Sequence, residues 1–270
     1  MGKFDGILIC SDFDGTLAHK AQISDANRDA VRYFKSEGGM FVPVSGRSYS
    51  YFDQHEISFV SSKYIVGLNG AQIYDCEFKK LVYQNALDRA ESINLTYEIL
   101  SEFNEIKFAY VHDSEDRCRV DLETWDKISI PDGDIYKMVF VVDAEDSDRA
   151  FDEIANFVPE QYTAVRSWIN GIEVLGCDNT KGTAVKRLRG LLGEHARKTV
   201  AVGDYENDIS MLREADIGYA VKGSSLKVRE AADRMTVGVQ DDAIAYVVED
   251  IENELRTAPG SFWREVMIQK

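Results

Sequence analysis

The chain has 270 residues, of which 44% are hydrophobic and 29% charged, so it is a globular protein of two domains or one large α/β domain. Its 31 Lys and Arg against 47 Asp and Glu give a formal net charge of −16, which argues against nucleic acid and anionic membranes as partners. No apolar run reaches the roughly 18 residues that would predict a membrane span. The four scattered cysteines favour reduced thiols in the cytoplasm. Homo-oligomerisation is left open.

The first third of the chain alternates short apolar runs with helical patterns. Strands are predicted at 7–10, 41–44 and 64–68, and a helix capped by Ser24 is predicted to run through Glu37. This alternation is typical of a parallel sheet with helices on both faces. The same pattern returns from about residue 181, with helices predicted at 181–192, 207–214, 224–232 and 241–255 and strands at 199–202 and 217–221.

The middle of the chain has a different order of elements. It predicts helices at 86–103 and 144–157 and strands at 106–111, 119–122, 136–142 and from residues 162 and 172. Such an order is typical of an antiparallel sheet with helices on one side. The sequence therefore predicts an α/β protein with a Rossmann-like parallel-sheet core, residues 1–83 and 166–270, and an inserted α+β cap domain, residues 84–165. The cap segment holds 20 acidic and 7 basic residues, so it carries most of the net charge.

Polar residues follow the predicted strands at the points where parallel α/β sheets bind ligands. They are Asp12 and Asp14, Ser45, Asp204 and Asp208, together with Lys181 at a helix start. Each group alone is explained by a turn, a helix cap or a solvated surface, but the four in order indicate one site. Clustered carboxylates repel each other and require a cation, and oxygen ligands favour Mg²⁺. The Ser45 hydroxyl and the Lys181 ammonium would complete a pocket for a tetrahedral anion.

These residues form four motifs that resemble those of a known superfamily. The motifs read Asp12-Phe13-Asp14-Gly15-Thr16, Ser45-Gly46-Arg47, Lys181 and Gly203-Asp204-Tyr205-Glu206-Asn207-Asp208. They resemble the haloacid dehalogenase-like hydrolases, in particular the Cof-type sugar-phosphatase branch, which carries an α/β cap between the second and third motifs. Two residues depart from the usual pattern: Tyr205 replaces a small residue, and Ser45 replaces the commoner Thr.

The resemblance implies a role for each motif residue. Asp12 would be the nucleophile that forms an aspartyl-phosphate, and Asp14 would protonate the leaving oxygen and then deprotonate water. Mg²⁺ would be held by the carboxylates of Asp12 and Asp204 and the backbone carbonyl of Asp14. Asp208 would influence the ion through the residues that bind it or through a water molecule. The expected substrate-binding residues are Ser45 and Lys181, assisted by Asn207, with Thr16, Gly46 and Arg47 beside them. Arg47 could equally pair with an acidic residue on the following helix.

The function implied is an Mg²⁺-dependent phosphatase acting on a small phosphorylated metabolite. A phosphomutase of the same superfamily and a non-catalytic module phosphorylated on Asp12 are the alternatives. The acidic cap segment has few basic side chains that could bind a second phosphate group. We therefore expect a substrate with one phosphate on a neutral, hydroxyl-rich body, such as a sugar or polyol phosphate.

Overall fold

The computed structural model of the protein describes residues 2–55, 60–113, 117–125, 130 and 132–257. The chain divides into two compact units, Met1–Val82 with Lys181–Lys270 and Tyr83–Thr180. None of the helices within the described ranges is long and apolar enough to cross a membrane.

In chain order the helices and strands are β1 (Ile7–Ser11), α1 (Asp25–Ser36), β2 (Met40–Pro43), α2 (Tyr49–Gln54), β3 (Tyr64–Gly67), β4 (Gln72–Asp75), β5 (Lys80–Gln84), α3 (Arg89–Glu102), β6 (Phe108–His112), β7 (Arg117–Val120), β8 (Lys137–Val141), α4 (Ser147–Phe157), β9 (Tyr162–Trp168), β10 (Gly171–Gly176), α5 (Lys181–Leu192), β11 (Lys198–Gly203), α6 (Ile209–Glu214), β12 (Ile217–Ala220), α7 (Leu226–Ala231), β13 (Arg234–Met235) and α8 (Ala243–Thr257).

A five-stranded parallel sheet forms the centre of the first unit, in the order β13-β12-β11-β1-β2. The central position of β1 explains its sequence, because a parallel strand covered on both faces has no polar face. All five residues of β1 are buried. The predicted α/β class with a parallel-sheet core is confirmed.

Helix α1 begins and ends where its sequence predicts. The Ser24 side chain accepts a hydrogen bond from the backbone N–H of Asn27 at 3.1 Å, which satisfies a donor of the first turn. Gly38, at φ +89°, follows the helix in a left-handed conformation that glycine adopts without strain. Val31 and Phe34 are fully buried in the core of the first unit.

The third predicted strand belongs to a different sheet from the first two. β3 pairs antiparallel with β4, and β3, β4 and β5 form a separate three-stranded sheet. A single parallel bridge between Val44 and Val66 connects β3 to the segment after β2. The alternation of strand and helix indicated a parallel neighbour here, but the short turn at 68–71 returns the chain beside β3 and favours antiparallel pairing.

The second unit contains an antiparallel sheet in the order β7-β6-β8-β10-β9. Both of its helices pack on the same face of this sheet. Leu95 and Ile99 of α3 and Ile154 of α4 share one buried cluster with Ala109 of β6 and Phe140 of β8. This is the α+β arrangement predicted for the middle of the chain.

The end of this unit differs from the boundary predicted at residue 165. β9 and β10 pair with each other, and β10 pairs with β8, so residues 166–180 belong to the second unit and not to the core. The physical reason is that an antiparallel hairpin completes the sheet of the insert. The sequence of β10 taken alone did not reveal which sheet this strand would join.

Candidate active site

Three neighbouring strands bring polar residues to one edge of the parallel sheet. Asp12 follows β1 and Asp204 follows β11, and these strands are paired at Ser11 and Val202. Ser45 comes two residues after β2, on the other side of β1. Since the strands are parallel, their carboxyl ends open onto the same edge. The sheet therefore places the residues of the first, second and fourth motifs together.

Lys181 is an ammonium enclosed by two carboxylates. Its Nζ donates to Asp12 Oδ1 at 2.5 Å and to Asp208 Oδ1 at 2.6 Å, and its side chain is 0% exposed. Burial opposes the charge, but the two carboxylates outweigh it and raise the pKa of Lys181 above its usual value. This lysine is therefore charged at every ordinary pH, and it links the first motif to the fourth.

Asp208 organises the loop after β11. Its Oδ2 accepts hydrogen bonds from the backbone N–H of Asp204 at 2.9 Å and of Tyr205 at 3.1 Å. Gly203 permits this approach, because a Cβ at that position would lie 2.4 Å from the Cβ of Asp208. Tyr205 has φ −124° and ψ 174°, an extended conformation open to any residue, so its departure from the motif leaves the backbone unstrained.

Asp204 is held by the loop that follows β1. Thr16 donates its hydroxyl to Asp204 Oδ1 at 2.8 Å. Gly15 lies beside the same carboxylate at φ +88°, and a Cβ there would come within 2.4 Å of Asp204 Oδ2. Only glycine combines this conformation with this close approach. The structure thus gives Thr16, expected to bind substrate, a contact with Asp204.

Three carboxylates converge at the centre of the site. Asp12, Asp204 and Asp208 each offer an oxygen, and these oxygens lie within 4.8 Å of one another. Burial, offset in part by Lys181, raises the pKa of Asp12 well above its usual value. Burial and the neighbouring Asp208 raise the pKa of Asp204 to about 6. One ammonium faces three carboxylates, so the donor set fits a divalent cation with oxygen ligands.

Asp14 points away from this cluster and is bound by Arg47. Arg47 donates two hydrogen bonds to the Asp14 carboxylate, one from Nε to Oδ2 at 2.6 Å and one from Nη2 to Oδ1 at 2.8 Å. These hydrogen bonds raise the pKa of Arg47. Of the two alternatives left open for Arg47, it takes a carboxylate partner, but that partner is Asp14 and not an acidic residue on α2.

Asn69 connects the second motif to the fourth. Its backbone N–H donates to the carbonyl of Ser45 at 2.9 Å, and its side-chain oxygen accepts from Asn207 Nδ2 at 3.1 Å. Ser45 is buried, and its hydroxyl oxygen accepts from the backbone N–H of Arg47 at 3.1 Å. Gly46 lies against the same amide, since a Cβ there would lie 3.3 Å from Asn69 Oδ1.

Sequence comparison identifies the family to which this arrangement belongs. Residues 9–248 match the family described as haloacid dehalogenase-like hydrolase. The chain belongs to the haloacid dehalogenase-like hydrolases. The membership predicted from the four motifs is confirmed, and so is the prediction that the chain is an enzyme that hydrolyses phosphoric monoesters, which the phosphatase names of its relatives support.

Several members of this family resemble the chain over almost all of its length. The 5-amino-6-(5-phospho-D-ribitylamino)uracil phosphatase YcsE of Bacillus subtilis (strain 168) is 28% identical over 248 residues, covering 89% of this chain and 94% of YcsE. The structure of a haloacid dehalogenase-like hydrolase from B. subtilis superposes with a TM-score of 0.75 at 23% identity, covering 90% of this chain and 98% of that chain. The subclass IIB sugar phosphatase BT4131 gives a TM-score of 0.74 at 19% identity, covering 90% and 98%.

Two residues of this hydrolase lie in the site although its sequence did not predict them there. Asn69 lies outside the four motifs, yet it bridges two of them. The signal available in the sequence was the Asn-Gly pair, which predicts a turn with left-handed residues. Asn69 has φ 57°, and Leu68 before it has φ 50°. The second unassigned residue is Tyr51, whose ring covers the guanidinium of Arg47 with its centroid 4.0 Å from Cζ.

The raised pKa of Asp204 predicts a pH dependence of stability in the metal-free hydrolase. The pKa is about 6 in the folded protein against an ordinary value of 3.8, so the folded state holds the proton more tightly than the unfolded chain. This contribution is fully present below pH 3.8 and is lost as the pH rises through 6. We expect the unfolding free energy of the wild type, relative to Asp204→Asn, to fall by on the order of 2 kcal/mol between pH 4 and pH 7.

Urea unfolding of both proteins in excess chelator measures this difference. Asp216→Asn, on the same unit and half-buried, serves as the control for general effects of an Asp-to-Asn change. A difference between wild type and Asp204→Asn that rises with pH would contradict the assigned direction.

Proposed function

We propose that the chain is an Mg²⁺-dependent phosphatase that hydrolyses small phosphate monoesters, of the sugar or polyol phosphate class, through an aspartyl-phosphate on Asp12. One observation carries the proposal: Asp12 lies in a buried cluster with Lys181 and two further carboxylates, whereas Asp14, two residues later, is held apart by Arg47. These positions support Asp12 as the nucleophile and Asp14 as the residue that transfers the proton.

The two half-reactions follow from these positions. In the first, an Oδ atom of Asp12 bonds to phosphorus and the bond from phosphorus to the leaving oxygen breaks, while Asp14 transfers its proton to that oxygen. In the second, Asp14 takes a proton from water, the water oxygen bonds to phosphorus, and the acyl-phosphate bond breaks. Phosphate leaves and Asp12 is restored. The proton that Asp14 takes from water replaces the one it gave to the alcohol.

The residues that would hold Mg²⁺ are the carboxylates of Asp12 and Asp204 and the backbone carbonyl of Asp14, with Asp208 behind them. Bound there, the ion would supply positive charge against the phosphoryl oxygens and the carboxylates. Asp208 already accepts hydrogen bonds from Lys181 and from two backbone N–H groups, which supports a role in shaping the site.

The remaining motif residues divide into those that face the phosphoryl group and those that orient other side chains. Lys181, the Ser45 hydroxyl and the Asn207 amide are proposed to bind the phosphoryl oxygens, with the backbone of Gly46 beside them. Thr16 is proposed to orient Asp204, because its hydroxyl already donates to that carboxylate. Arg47 is proposed to orient Asp14.

Hydrolysis of a panel of sugar and polyol monophosphates tests the proposed function. We expect release of inorganic phosphate with Mg²⁺ present and no bisphosphate activator, and loss of the activity in excess EDTA, because the uncompensated carboxylates repel the phosphate. Restoring free Mg²⁺ should restore the rate. Full activity in chelator would overturn the metal dependence, and a requirement for a sugar bisphosphate would favour a phosphomutase. A cytoplasmic location, a small-molecule partner without nucleic acid and any homo-oligomer stay predictions.

A further inference from the structure

Arg47 binds the carboxylate of Asp14, and Arg47 is itself held in place by a neighbouring side chain. Both carboxylate oxygens of Asp14 accept from the guanidinium of Arg47, and the Asp14 side chain is 45% exposed. A bidentate pair fixes the plane of the carboxylate as well as its position. An exposed arginine, however, has several rotamers, and ordering it costs conformational entropy. Whatever confines Arg47 therefore also confines Asp14.

The ring of Tyr51 confines Arg47. The guanidinium carbon lies 4.0 Å from the ring centroid, within the distance at which a cation is attracted to an aromatic face. Tyr51 lies on α2, which begins two residues after Arg47. The helix thus places the ring directly over the guanidinium.

Tyr51 is fixed in its turn by two further rings. Its centroid lies 6.0 Å from that of Phe13 in an edge-to-face arrangement, and 4.0 Å from the imidazole of His55 in a stacked one. Phe13 is fully buried and stands between Asp12 and Asp14 in the chain. The Tyr51 ring therefore contacts both the loop that carries the two aspartates and the arginine that binds the second.

We propose that Tyr51 is a positioning residue for proton transfer: its ring holds Arg47, and Arg47 holds the carboxyl group of Asp14 in the orientation from which its protonated form gives the proton to the leaving oxygen. The inference rests on the proposed function, since it assigns a supporting residue to the same site. It is the aromatic face that acts, so phenylalanine substitutes for tyrosine and an aliphatic residue does not.

The role predicts an effect that depends on the leaving group. An alkyl phosphate expels a basic alkoxide and needs the proton from Asp14, whereas 4-nitrophenyl phosphate expels a weakly basic phenolate and needs it little. In Tyr51→Leu we expect kcat/KM for a sugar monophosphate, which reports the steps up to cleavage of the ester, to fall by about 3- to 30-fold, the range that a cation–π contact contributes. For 4-nitrophenyl phosphate we expect kcat/KM to change less than about twofold, whereas kcat also includes hydrolysis of the aspartyl-phosphate that both esters share.

Three further variants make the test specific. Tyr51→Phe should match the wild type on both esters. Tyr49→Leu is the matched control, because Tyr49 is on the same helix but stacks on Tyr74, with the two ring centroids 4.4 Å apart. It should alter the two esters equally, if at all. In an Asp14→Asn background, Tyr51→Leu should add almost nothing, because the group that it positions is already inactive.

Each outcome decides between the proposals. Equal losses on both esters in Tyr51→Leu, a Tyr51→Phe enzyme as impaired as Tyr51→Leu, or an undiminished effect in the Asp14→Asn background would overturn the positioning role while leaving the phosphatase intact. A wild type that hydrolyses neither ester would overturn the proposed function itself. Should Tyr51→Leu not fold, Tyr51→Met, whose unbranched and flexible side chain adapts better to the space left by the ring, carries the same expectations.

Discussion

Asp12→Asn should abolish turnover of every phosphate monoester. The amide cannot act as the nucleophile, so the aspartyl-phosphate cannot form, and removing the nucleophile of a covalent mechanism costs on the order of 10⁴- to 10⁶-fold in kcat. The fold should survive, because Lys181 keeps its ion pair with Asp208 at 2.6 Å when Asp12 is neutral. The measurement is phosphate release under single-turnover conditions, with thermal unfolding to verify the fold.

Asp29→Asn is the matched control for this substitution. Asp29 is an exposed residue of α1 whose ion pair with Arg32 is a surface contact, so its replacement should leave kcat unchanged. An acid quench during turnover should leave a phosphoryl group on the wild type that is labile to base and to hydroxylamine, as expected of an acyl-phosphate, and Asp12→Asn should carry none. Near-normal turnover by Asp12→Asn would contradict covalent catalysis at this residue.

The sequence predicts which edge of the core sheet carries the cluster of polar residues, because strand ends are local features. An apolar run followed two residues later by a carboxylate, as at Asp12 and Asp204, places that carboxylate at the carboxyl end of a buried strand. Parallel neighbours then bring such ends together without any further information. The same reasoning supplies Lys181, since a helix start at the same edge faces the carboxylates.

Contacts between distant side chains could not be predicted in the same way. Nothing in the spacing of Asp14 and Arg47 separates a bidentate pair from a phosphate contact, because either satisfies the guanidinium. The role of Asn69 depends on a left-handed turn whose exact direction is set by Ser45 and Asn207 in three dimensions. The membership of β9 and β10 in the second sheet depends on strand pairing, and pairing between segments far apart in sequence leaves little local trace.

Lys181→Met should destabilise the metal-free protein by about 3–5 kcal/mol, the cost of removing one partner from a buried ion pair. The lysine is 0% exposed and contacts Asp12 and Asp208, which would be left facing each other without a cation. Since the pKa of Lys181 is raised above its usual value, the ammonium is charged throughout the neutral range. The loss should nevertheless grow as the pH rises, because the pKa of Asp12 is raised well above its usual value even beside Lys181, and the carboxylate holds its proton more tightly still when the ammonium is removed. Activity should fall with it, because the phosphoryl group loses a cation.

The effect of Mg²⁺ on the unfolding free energy should distinguish this proposed metal site from a buried ion pair that binds no metal. A ligand that binds only the folded state stabilises it by mass action, and the gain grows as its affinity grows. Removing the competing ammonium should tighten Mg²⁺ binding to the three carboxylates, so Mg²⁺ should raise the unfolding free energy of Lys181→Met more than that of the wild type.

Lys137→Met is the matched control. Lys137 is also buried and pairs with Glu173 at 3.0 Å, but it belongs to the second unit. Its loss should cost stability that Mg²⁺ does not restore. Urea unfolding of the wild type and the two lysine variants, in chelator and in excess Mg²⁺, measures the change in unfolding free energy that the ion causes. An equal change in both lysine variants would show that Mg²⁺ does not bind at the carboxylates around Lys181.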